Sequence, residues 1–101
     1  MRTVRQIVAD SVFEYCKDKK INGYQDRTDT AEYVVLRIYD GEIEIKLETC
    51  NKEHHITVQK VVAPVEVSNV KARKTEKYEW VTTNQSKDIT KDIINVISEL
   101  L

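Results

Sequence analysis

The sequence predicts an α+β fold, an antiparallel sheet of four to five strands with N- and C-terminal helices packed on one face. Three observations predict it. Residues 31–50 read as a hairpin whose register is set by Asp40-Gly41. Apolar residues recur at helical spacing in the first twenty residues and again in the last sixteen. Between them, alternating segments follow one another with short turns, as in a meander.

The first segment, residues 3–21, places Val4, Ile7, Val8, Val12 and Tyr15 on one stripe, with Ala9 and Cys16 at its margin. Thr3 and Gln6 have the spacing of a capping box. Lys17, Lys19 and Lys20 complement the helix dipole at the far end, and Asn22-Gly23 supplies a stop. Phe13 falls on the opposite side, as a second contact or an exposed aromatic. Residues 22–30 read as a polar connector.

The hairpin comes next. Asp-Gly suits a type I′ turn, because both central positions need positive φ. Closing the chain there pairs Ile38 with Ile43, Leu36 with Ile45 and Val34 with Leu47 on an aliphatic face. The other face pairs Arg37 with Glu44, Val35 with Lys46 and Tyr33 with Glu48. Such a division packs one side on a core and leaves the other for water or a partner.

A turn over Cys50-Asn-Lys-Glu53 leads to a third strand, 54–62, that sets Leu47 against Ile56 and Ile45 against Val58. Pro64 marks a break or an edge, since it cannot donate to a ladder. Residues 65–70 read as an irregular fourth strand whose slipped alternation suits a bulge. Residues 71–77 read as a basic loop and 78–83 as a short strand. In the last segment Ser86 is the expected N-cap, with Asp88 in the first turn. Ile89, Ile93, Val96, Ile97 and Leu100 form one stripe, widened by Ile94 and Leu101. Both helices then cover the aliphatic face and leave the other open.

At 101 residues the chain is expected to form a single domain, 1–101. Only 2 Gly and 1 Pro speak against low-complexity stretches. A net charge of −1 provides no global attraction to nucleic acid or anionic lipid, so such binding needs a local patch. Acids at Asp10, Glu14 and Asp18 argue against a signal peptide, and no apolar run reaches membrane-spanning length. Two cysteines do not make a disulfide scaffold, and the expected setting is cytoplasmic.

The chemistry-bearing residues are few. Cys50 with His54, His55 and Cys16 makes one loose ligand set without a second knuckle, so neither a metal nor another cofactor is expected. Cys50 with His54 is the only nucleophile–base pairing to consider, and no phosphate loop or nucleophile elbow accompanies it. A non-catalytic role is therefore expected.

Two binding surfaces remain. The outer sheet face carries Tyr33, Arg37 and Tyr39 beside Glu42, Glu44, Lys46 and Glu48. Tyrosine and arginine are favoured interface anchors, and the acids would form a rim. This face suits a protein partner, with the chain as inhibitor or adaptor. Small α+β proteins of this kind, without motifs, recur among accessory proteins of phages and mobile elements, including inhibitors of host nucleases, a class-level analogy. The alternative is a nucleic-acid-binding regulator using 71–80, where Lys71, Arg73, Lys74 and Lys77 meet phosphates and Tyr78 and Trp80 stack on bases. A third reading is a homodimer paired through the outer faces or the 65–70 edge. No membrane partner is expected.

Overall fold

A computed structural model describes residues 3–18, 25–39, 41–67 and 70–100, with the side chains of Asp18 and 61–75 outside that description. The predicted α+β architecture is present. Helix α1 (Val4–Asp18) is followed by strands β1 (Asp26–Asp29), β2 (Tyr33–Ile38), β3 (Ile43–Cys50), β4 (Glu53–Val67) and β5 (Val70–Thr82), then helix α2 (Ser86–Leu100). The strands form an open antiparallel meander in sequence order. Helix α1 lies against β2 and β3, α2 lies against β4 and β5, and the helices touch each other.

The hairpin register is the expected one, from Ile38 opposite Ile43 to Tyr33 opposite Glu48. The turn differs from a simple type I′ loop. Tyr39, its first residue, already has φ 56 and Gly41 has φ 77, while the Glu42 amide donates to the Tyr39 carbonyl at 3.0 Å. Asp40 lies outside the described residues. The next turn does carry the type I′ mark, with φ 51 at Asn51 and φ 67 at Lys52 between the paired Cys50 and Glu53.

Alternation puts Leu36, Ile45 and Val58 in one inner row and Val34, Leu47, Ile56 and Trp80 in the next. From the helices, Val8, Val12, Ile89, Ile93 and Ile97 meet this face, all fully buried. Each such side chain contributes roughly 1.5–3 kcal/mol by leaving water. The α1 stripe is rotated from the expected one. Ala9 and Cys16 sit in the core, whereas Ile7 is 41 % exposed. Phe13 and Tyr15 pack at the margin of the core. The Thr3–Gln6 capping box forms in both directions, at 3.0 and 3.2 Å. The Asn22-Gly23 stop and Leu101 fall outside the described residues. Helix α2 begins one residue early, with Ser86 in its first turn and the Gln85 carbonyl accepting from Asp88 and Ile89.

Three expectations need correction. Within the expected connector 22–30, Asp26–Asp29 forms edge strand β1 without an apolar side chain. An ionic clasp holds it: Arg27 grips Asp29 through Nε at 2.6 Å and Nη2 at 2.8 Å, and reaches Asp10 of α1 through Nη1. The expected basic loop 71–77 is the first half of β5, and 65–67 belongs to β4. The slip in register comes earlier than expected, between Val61 and Pro64. Beyond Lys60, β4 has lost β3 as a neighbour and is an edge, where proline is tolerated.

Candidate functional site: the open sheet face

With both helices on the inner side, the outer side of all five strands is uncovered. Its cross-strand rows follow from the register. Asp26, Arg37, Glu44, Gln59 and Lys77 form one, and Thr28, Val35, Lys46, Thr57 and Glu79 form the next. Tyr33, Glu48, His55 and Val81 form the third.

Charges in these rows are matched at close range. Arg37 stands 3.5 Å from both Asp26 and Glu44, and Gln59 donates to Glu44 at 3.1 Å. Lys46 lies 3.9 Å from Glu48 and 5.2 Å from the centre of the Tyr33 ring, within cation–π range. Lys77 lies 3.4 Å from Glu79. These pairs are solvated and contribute little stability, but they hold long side chains in set positions. Val35 is only 8 % exposed although it belongs to this open face. Over β3, β4 and β5 the surface dips into a shallow polar depression of about 390 Å³, floored by Thr57 and Gln59 among the charged pairs.

The expected partner-binding residues therefore share one surface. Tyr33, Arg37, Glu44, Lys46 and Glu48 occupy adjacent rows of β2 and β3. Tyr39 and Glu42 stand exposed at the hairpin end. Sequence reasoning missed Asp26, Thr28, Lys77 and Glu79 as members of this face. The signal for Lys77 and Glu79 was their spacing of two; Asp26 and Thr28 had none, since a strand with no apolar residue shows no alternation.

The nucleic-acid candidates do not share one surface. Lys77 is on the open face, whereas Tyr78 and Trp80 are on the inner one. Trp80 is half-buried at the edge of the core, where it borders a groove of about 330 Å³ with Asp92, Asn95 and Val96 of α2; Tyr78 is 40 % exposed. Lys71, Arg73 and Lys74 lie on the β5 backbone with their side chains outside the description.

The cysteine and histidine candidates are likewise separated. Cys50 is exposed on β3, while His54, paired by register with Thr49, falls on the opposite face. His54 Nδ1 is 3.0 Å from Thr49 Oγ1. Burial, and then the charge of Arg5, hold His54 below its ordinary pKa. Cys16 is buried under α1, and burial pushes its thiol up to about 11. Among the described residues no three metal-ligating side chains gather, and no helix is long and apolar enough to cross a membrane.

No family model, curated protein or solved structure matches the chain.

Proposed function

We propose that the chain is a non-catalytic protein-binding module, an inhibitor or adaptor working in the cytoplasm through its open sheet face. One observation carries the reading. Both amphipathic helices cover the same side of the sheet, so the other side of five strands is left without a covering layer. Tyr33 and Arg37 supply anchor side chains there, held in place by Lys46, Asp26 and Glu44. The described acids of this face outnumber its cations: Asp26, Glu42, Glu44, Glu48 and Glu79 against Arg37, Lys46 and Lys77. A partner with a basic patch fits that balance, and the polar rim would set register and association rate more than affinity.

The test is paired capture from native lysate with three baits. These are the wild type, Tyr33→Ala/Arg37→Glu, and a control changed on the exposed side of α2, Lys91→Ala. A protein retained at equal stoichiometry by wild type and control, and lost by the face variant, supports the reading. Equal retention by all three baits removes the face from it. Light scattering at two concentrations tests the competing homodimer through the same face.

A further inference from the structure

The longest element of the fold has no partner but β5 for half its length. Strand β3 pairs with β4 only as far as Ile43 opposite Lys60. Beyond that, β4 and β5 pair with each other alone, from Val61 opposite Thr75 to Val67 opposite Val70. Seven residues at strand rise make a two-stranded ribbon about 23 Å long. It shows in the dimensions of the molecule. The longest axis is 51 Å against 31 and 23 Å, and the radius of gyration is 14.4 Å where a compact domain of this length gives about 13 Å.

A lone pair of strands is marginal by itself and adds little to the core. Its charge is also set apart from the rest. Within residues 61–75 Lys71, Arg73 and Lys74 stand against Glu66, a net of +2, which leaves −3 for the remainder of a chain whose total is −1. All three cations fall on the β5 half, within four residues. Glu66 is opposite Lys71 by register, and Arg73 is opposite Pro64. The irregularity between Val61 and Pro64 puts three steps on β4 against two on β5, a bulge at the base of the ribbon. Bulges bend a strand and increase its right-handed twist. A twisted two-stranded ribbon has the width that the major groove of a duplex admits, and cations along one strand would follow its phosphates.

We infer that this ribbon is a nucleic-acid arm that enters a groove of double-stranded DNA. The cations Lys71, Arg73 and Lys74 contact the backbone, and the surface is independent of the open sheet face. Tyr78 and Trp80, on the helix-covered side, take no part.

The test is fluorescence anisotropy of the full chain with a labelled 20-base-pair duplex of mixed sequence, between 20 and 200 mM KCl. Two to three phosphate contacts give a slope of log K against log salt of about −2 to −3. Lys71→Gln/Arg73→Gln/Lys74→Gln should abolish that slope and weaken binding at least tenfold, with an unchanged thermal melt as the control for folding. Lys71→Arg/Lys74→Arg keeps the charge and should bind as the wild type does. No binding at 20 mM KCl overturns the inference, as does binding that survives the triple substitution. Equal competition by poly-glutamate at matched charge also overturns it, because the duplex shape is then not recognised. A dimer in light scattering that forms through the ribbon, without duplex binding, reassigns the arm to a second copy and overturns it as well.

Discussion

Replacing Lys52 by glycine should stabilise this protein, although Lys52 is exposed and holds nothing together. The reason is its backbone. Lys52 has φ 67 and follows Asn51 at φ 51, the two left-handed central positions of a type I′ turn. A residue with a Cβ loses roughly 1–2 kcal/mol in that region, and asparagine less because its short side chain bonds locally. Glycine removes the steric cost but adds about 0.5–1 kcal/mol of freedom to the unfolded chain. The expected net gain is about 0.5–1 kcal/mol. With an unfolding entropy near 0.2 kcal/mol/K for about 100 residues, Tm should rise by roughly 2–5 °C. In urea, with an m value of about 1.5 kcal/mol/M, the midpoint should move up by about 0.3–0.7 M at constant m. Gly41→Ala is the mirror experiment. An added Cβ there meets no atom within 4 Å, so the whole cost arises from φ 77, again about 1–2 kcal/mol. If Lys52→Gly lowers the midpoint while Gly41→Ala leaves it unchanged, neither turn has the left-handed backbone on which the reasoning depends.

Three further outcomes follow from single sites. Arg27→Met should cost about 1 kcal/mol, discounted for partial exposure, and should speed amide exchange in 26–29 more than in β3, because the clasp to Asp29 and Asp10 ties β1 to α1. Cys50 should react with a thiol reagent at pH 8 while Cys16 reacts only on unfolding. Because the folded state keeps the Cys16 proton longer than the unfolded state does, stability should fall between pH 9.0 and about 11 by on the order of 2 kcal/mol, and Cys16→Ala should lack that decline in alkaline urea titrations. His54 has the opposite sign. Its folded pKa is depressed, so its contribution is full above about pH 6.5 and is lost as pH falls, and His54→Gln should show a shallower loss of urea midpoint from pH 7.5 to 5.0 than the wild type.

The sequence disclosed those parts of the fold whose side chains are sorted by water. Strands β2 and β3 each have a buried and a wet side, so period-two alternation, and with it the register from Ile38–Ile43 to Tyr33–Glu48, was readable from the residues alone. The same logic made α2 legible through Ile89, Ile93 and Ile97. It failed where burial does not decide the conformation. β1 is held by Arg27 and by backbone pairing to β2, and Asp-Arg-Thr-Asp contains nothing apolar to alternate. The ribbon half of β5 has no strand beyond it on either side, so Lys71, Arg73 and Lys74 can sit in a strand with the composition of a loop. On α1, Ile7 and Ala9 exchanged places because helix orientation depends on the sheet and on α2 as well as on hydrophobicity. Ala9, small enough for close approach, faces inward, while Ile7 borders a groove beside Ser86 and Thr90 of α2. For the open face, the members on β2 and β3 were legible for the reason the hairpin was. Those on β1 and β5 entered only when the strand order was known.

The core and the two proposed binding surfaces are energetically separable. Among the described residues, every fully buried side chain belongs to the inner rows of β2, β3 and β4 or to the facing sides of α1 and α2. That arrangement is complete without the outer rows, whose solvated ion pairs contribute little stability. It is also complete without residues 61–75, which pair with one another past the end of β3. Substitutions on the open face or in the ribbon should therefore change binding while leaving the unfolding free energy within about 0.5 kcal/mol of wild type. Ile93→Ala should do the reverse, costing about 2–5 kcal/mol through the cavity it leaves. A face or ribbon variant that lost binding and stability together would show that the surface belongs to the core after all, and its binding loss would then carry no information about partners.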